Sequence, residues 1–96
     1  IVDANPRHNV SLQGLTTTEE DVTKGDVGTV GLIAVKNPDS SIDVQLGFTP
    51  SGGSFEPVIS IPAGTESPVL LWDSSETPQL KAASGTPTVE VFVAEK

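Results

Sequence analysis

Apolar residues take every second position from Ile42 to Phe48, with Asp43, Gln45 and Gly47 between them. A period of two is that of a strand with one face on a core and the other in water. His8-Asn9-Val10-Ser11-Leu12 carries the same alternation and predicts a first strand, ended by Gly14. Residues 27–35 are apolar on both faces and include Gly28 and Gly31, the pattern of a central strand with a bulge or a close backbone neighbour. Shorter runs at residues 58–61, 69–72, 79–83 and 88–93 predict four further strands.

Turn residues set the boundaries. Asn37-Pro38-Asp39-Ser40-Ser41 predicts a hairpin between 27–35 and 42–48, and Ser84-Gly85-Thr86-Pro87 a second hairpin between the last two strands. The stretch Pro50-Ser51-Gly52-Gly53-Ser54 reads as a flexible loop and Pro62-Ala63-Gly64-Thr65 as a tight turn. Between Thr16 and Asp21 a solvated loop is expected; Thr16 three residues before Glu19 leaves a single capped helical turn as the alternative. All eight prolines fall outside strand centres. Residues 1–6 read as an extended arm ending at Asn5-Pro6, and residues 7–96 as one domain. The expected class is all-β: a single antiparallel β-sandwich or small barrel, a jelly roll being one arrangement this allows.

Composition narrows the interior. Only 4% of the residues are aromatic, so the core is built from Val, Ile and Leu, with Phe48, Phe55, Phe92 and Trp72 as large anchors. There is no Cys, which removes disulfides and thiolate metal sites. The longest apolar run is far below the ~18 residues of a membrane span, so no membrane partner is expected. Thirteen acidic residues against five Lys and Arg give a net charge of −8, which repels phosphate backbones and argues against nucleic acid.

Little is left for catalysis. A hydrolytic triad requires an imidazole, and His8 is the only one, beside Arg7, Asn9 and Ser11; an exposed edge histidine is the competing reading. Asp21, Asp26, Asp39, Asp43, Asp73 and Glu76 lie in or near loops without the spacing of a calcium loop, and Asp73-Ser74-Ser75-Glu76 is the best cation candidate among them. Asn9-Val10-Ser11 matches a glycosylation sequon, read as chance. Trp72, after Leu70 and Leu71, is either a core anchor or a platform for stacking on sugar. The expectation is a protein without enzymatic activity and without cofactor or metal.

From residue 57 to 95 the chain runs through Ile61-Pro62-Ala63-Gly64-Thr65, Val69-Leu70-Leu71-Trp72, Gln79-Leu80-Lys81-Ala82-Ala83-Ser84-Gly85-Thr86 and Val89-Glu90-Val91-Phe92-Val93-Ala94-Glu95. This succession resembles the small β-sandwich head decoration, or cement, proteins of tailed bacteriophages. The resemblance implies a virion structural protein, made in the host cytoplasm, that binds the major capsid protein on the capsid exterior, often as a homotrimer, and stabilises the shell by bridging subunits. In that role the arm supplies Ile1, Val2, Asn5 and Pro6 as partner-binding residues, because an extended peptide can add to a sheet edge on a neighbour. The competing expectation is a carbohydrate-binding or adhesion module of a fibre or cell-surface protein, with Trp72, Phe48 or Phe55 exposed.

Overall fold

The computed structural model describes residues 8–72 and 74–96. Eight strands follow one another: β1 (His8–Gly14), β2 (Glu20–Asp21), β3 (Val30–Lys36), β4 (Val44–Phe48), β5 (Glu56–Ile61), β6 (Leu70–Leu71), β7 (Gln79–Ala82) and β8 (Thr88–Glu95). They form two four-stranded antiparallel sheets, sheet A in the order β1-β8-β3-β6 and sheet B in the order β2-β7-β4-β5. No helix occurs among the described residues, so the loop reading of Thr16–Asp21 holds, with its last two residues drawn into β2.

The strand order has a simple generator. β1 pairs with β8, β2 with β7, β3 with β6 and β4 with β5, all antiparallel. The chain is thus one long two-stranded ribbon, doubled back at β4–β5 and wrapped so that successive pairs fall alternately in sheet A and sheet B. Additional β3–β8 and β4–β7 pairing closes each sheet. This is a jelly roll.

The two hairpins expected from the sequence are therefore arches. β3 lies in sheet A and β4 in sheet B, and likewise β7 in sheet B and β8 in sheet A. The places beside their sequence neighbours are taken: β8 and β6 flank β3, and β2 and β4 flank β7, so the chain crosses to the other sheet at each turn. The true hairpin joins β4 to β5 across the loop at 49–55. Asn37 holds the first arch: fully buried, it donates from Nδ2 to the carbonyls of Ile42 (2.8 Å) and Ile61 (3.1 Å). Asp39 shapes the rest, its Oδ1 accepting the N–H groups of Ser41 and Ile42, each at 2.9 Å.

Those backbone donors, with the Ser41 hydroxyl, hold the Asp39 carboxyl below its usual range. A lowered folded-state value means that ionised Asp39 stabilises the fold above the unfolded-state value, an advantage lost as pH falls through the folded one. Asp39→Ala is accordingly expected to lower the melting temperature at pH 7, with the gap to wild type closing as the buffer is acidified below the normal aspartate range. A gap that is constant with pH would show that the charge contributes nothing.

The core sits between the sheets. Ile33, Val35, Val89, Val91 and Val93 of sheet A face Val44, Leu46, Ile61, Leu80 and Ala82 of sheet B, all essentially inaccessible to water. Trp72 joins this cluster, its Nε1 donating to the Glu76 carbonyl at 2.8 Å and its ring meeting Phe48 edge-on at 6.2 Å. The other two aromatic residues are not core anchors. Phe92 lies on the outer face of sheet A, and Phe55 packs beneath the Lys81 ammonium group, 5.8 Å from its ring centre. Pro57 is the second residue of the edge strand β5, where β4 and β5 change register between Leu46 and Gly47.

Candidate functional site

Strand β1 reverses the orientation that would bury its apolar residues. Asn9, Ser11 and Gln13 point into the sandwich, and Val10 and Leu12 point to solvent, 58% and 70% exposed. The inward polar groups are paired: Gln13 donates to the Asp21 carbonyl at 3.0 Å and accepts the Thr23 N–H at 2.8 Å. The segment leaving β2 thereby seals the sandwich beside β1 with hydrogen bonds in place of apolar contact.

Cross-strand register then sets out the outer face of sheet A in three rows. The first runs His8, Ala94, Leu32, Leu71; the second Val10, Phe92, Ala34; the third Leu12, Glu90, Lys36, Glu66. Directly opposed residues share a face, so these side chains form one surface. None of the 13 acidic residues lies in the first two rows, where His8 is the only titratable group, its ring 6.4 Å from that of Phe92. Leu71 is 78% exposed. A groove of about 450 Å³ opens at the end of the first row, lined by Gly31, Leu32, Leu71, Trp72, Glu95 and Lys96.

The opposite face differs in kind. On sheet B the outward positions are Asp21, Gln79, Gly47 and Pro57 in one row and Lys81, Gln45 and Ser60 in the next. Gln79 donates to the Asp21 carboxylate at 3.0 Å. Sheet A exposes two apolar rows without an acidic residue, whereas the outer face of sheet B is mostly polar, with Phe55 against Gly47 and Lys81 and the exposed Val58 of β5 as its apolar members.

The other candidate residues are not brought together. Ile1, Val2, Asn5 and Pro6 lie outside the described residues, as does Asp73. His8 stands at the exposed start of β1 and its ring has no hydrogen-bond partner among the described residues, so no triad forms around it. Asp39 and Asp43 are turn and loop acceptors, Asp43 holding the Ala63 N–H at 2.9 Å. Among the described residues no three His, Asp or Glu side chains are grouped closely enough for a metal ion. Asn9 points inward, against Gly25, with its amide 3.4 Å from Ser11 Oγ, which is not the open position of a glycan acceptor. Trp72 at 6% exposure is the core anchor and not an open stacking platform.

Sequence reasoning missed the sheet A face because alternation gives the period of a strand and not its phase. The one signal was Gln13, whose amide cannot be buried without a donor and an acceptor, and those come from residues 21 and 23 in a connection no pattern anticipates. Comparison with known protein families, curated proteins and solved structures finds no match to this chain.

Proposed function

We propose that this chain is a non-catalytic assembly module that docks through the outer face of sheet A, and that the surface it covers is the exterior of a virus capsid, which it decorates and stabilises. The observation that carries the docking is the apolar face itself, free of acidic residues over two rows on a protein of net charge −8. The capsid as partner is supported by the resemblance of residues 57–95 to phage cement proteins. The jelly roll agrees with it by analogy, since that fold serves in viral capsids and also in lectins.

Strand spacing and rise give the three rows an area of about 350 Å², of which the two apolar rows make up about 230 Å². A standard interface buries about 800 Å² on each side. The face thus supplies a hydrophobic centre and relies on surrounding contacts for the remainder.

Co-sedimentation of the purified chain with capsids assembled without it tests both halves of the proposal. Leu71→Glu, at a position that contributes nothing to the core, is expected to weaken binding at least ten-fold with an unchanged melting temperature. Wild-type binding by Leu71→Glu would overturn the face as the docking surface. No binding by the wild-type chain would overturn the capsid as partner.

A further inference from the structure

Three of the four sheet edges are closed to further strands. β2 and β6 are two residues long, and β5 carries Pro57 and borders a register shift. Short edges, proline and irregularities are the devices by which sheets avoid adding strands. β1 has none of them: it is seven residues long, regularly paired with β8 throughout and free of proline, Asp, Glu, Lys and Arg.

The phase of its backbone follows from one bond. Leu15 N–H donates to the Pro87 carbonyl at 2.8 Å, continuing the β1–β8 register, in which Gln13 faces Val89 and Ser11 faces Val91. Hydrogen-bonded pairs alternate in an antiparallel ladder. The groups of residues 9, 11, 13 and 15 are therefore spent on β8, and the N–H and C=O groups of His8, Val10, Leu12 and Gly14 point to the open side. Among the described residues none of those four has a backbone partner there. Val10 and Leu12 thus present free backbone groups and exposed apolar side chains together.

We propose that β1 pairs with β1 of a second copy, antiparallel about a two-fold axis through Ser11. Antiparallel pairing that joins outward-pointing groups requires even-numbered residues to face even-numbered ones. Centred on Ser11, it sets Val10 against Leu12 of the other copy, Leu12 against its Val10, and His8 against its Gly14. Each apolar side chain on the outer face meets an apolar one, and on the inner face Asn9 meets Gln13. No charged pair of like sign is opposed. This self-complementarity is what an isologous contact requires. The absence of acidic residues from β1 matters because two copies bring a charge of −8 each. Their remaining repulsion is screened over about 8–10 Å at ordinary salt. The pairing rests on the edge alone and not on the capsid reading. It joins two outer faces into one eight-stranded surface of about 700 Å², close to one side of a standard interface.

Sedimentation equilibrium on the full chain over a wide concentration range is the test, with amide hydrogen exchange as its second readout. A monomer–dimer equilibrium that tightens with added salt is expected. The Val10 and Leu12 amides should exchange rapidly in dilute samples and become protected as the dimer forms, whereas Ser11 and Gln13 stay protected throughout. Leu12→Pro, which removes an N–H that the native ladder does not use, is expected to raise the dimer dissociation constant at least ten-fold. Leu12→Lys, at an exposed position, repeats the test should the proline variant misfold. A strict monomer, a trimer, or a dimer in which Val10 and Leu12 stay unprotected and Leu12→Lys has no effect would each overturn the pairing.

Discussion

Asn37→Asp is expected to cost about 4 kcal/mol or more at pH 7, a large part of the roughly 5–14 kcal/mol total stability of a domain this size. Asn37 is inaccessible to water, and its Nδ2 is the donor that ties the carbonyls of Ile42 and Ile61 together across the β3–β4 arch. A carboxylate of the same shape replaces that donor with an acceptor, so two carbonyl oxygens face a third, negatively charged oxygen with no water to separate them. Truncation by Asn37→Ala is milder, about 2–3 kcal/mol, because it leaves the carbonyls unpaired without adding a charge. The pH dependence separates the two effects. Burial raises the folded-state value of the introduced carboxyl, so the charge penalty is absent below the unfolded-state value and grows as pH rises towards the folded one. Urea unfolding at pH 7 and near pH 4 checks this: Asn37→Asp should recover on acidification and Asn37→Ala should not. Equal stability of the Asp variant and wild type at pH 7 would mean that Asn37 does not hold the arch.

Gly47→Ala is expected to destabilise by about 3 kcal/mol, at the upper end of overpacking costs. A Cβ at Gly47 would overlap the carbonyl oxygen of Glu56 and lie 2.9 Å from the Glu56 carbonyl carbon and from Phe55 Cζ. Phe55 has a rotamer with which to retreat. The Glu56 carbonyl is backbone in the facing strand, so it retreats only if the β4–β5 hairpin opens at its register shift. At roughly 4–8 °C per kcal/mol for a chain near this length, the melting temperature should fall by about 12–24 °C. Gly14→Ala is the control: nothing lies within 4 Å of a Cβ there, and its effect should stay within about 0.5 kcal/mol. Similar shifts for the two variants would show that lost backbone entropy, and not the Glu56 carbonyl, sets the cost of replacing Gly47.

The strands were legible in the sequence because their signal is local. Ile42, Val44, Leu46 and Phe48 alternate strictly, and the structure turns all four towards the core. What joins the strands was not legible. Asn37-Pro38-Asp39-Ser40-Ser41 has the composition of a tight turn, but whether a turn folds a strand back beside its predecessor or carries it across to another sheet depends on which distant strand occupies the neighbouring edge. Here β6 and β8 fill both sides of β3, and β4 has no place there. The aromatic residues divide along the same line. Trp72, in an apolar run, is buried as its neighbours suggest, whereas Phe92 alternates with Val91 and Val93 and takes the outward phase. The apolar outer face escaped notice for a related reason. Its rows are assembled from β1, β3, β6 and β8, and no one of these segments looks unusual by itself.

The wrapped ribbon also decides when this molecule can begin to exist. β1 leaves the ribosome before its only described strand partner, β8, and all six other described strands are made between them. Until Thr88–Glu95 has emerged, Val10 and Leu12 belong to an unpaired strand, and the inward Gln13 has no second wall to close. A topology in which the first strand waits for the last has high contact order and folds in milliseconds to seconds, slowly for its length. Synthesis therefore delivers a domain that folds only once β8 has emerged, and β1 passes through that interval as the segment most in need of protection from its own kind.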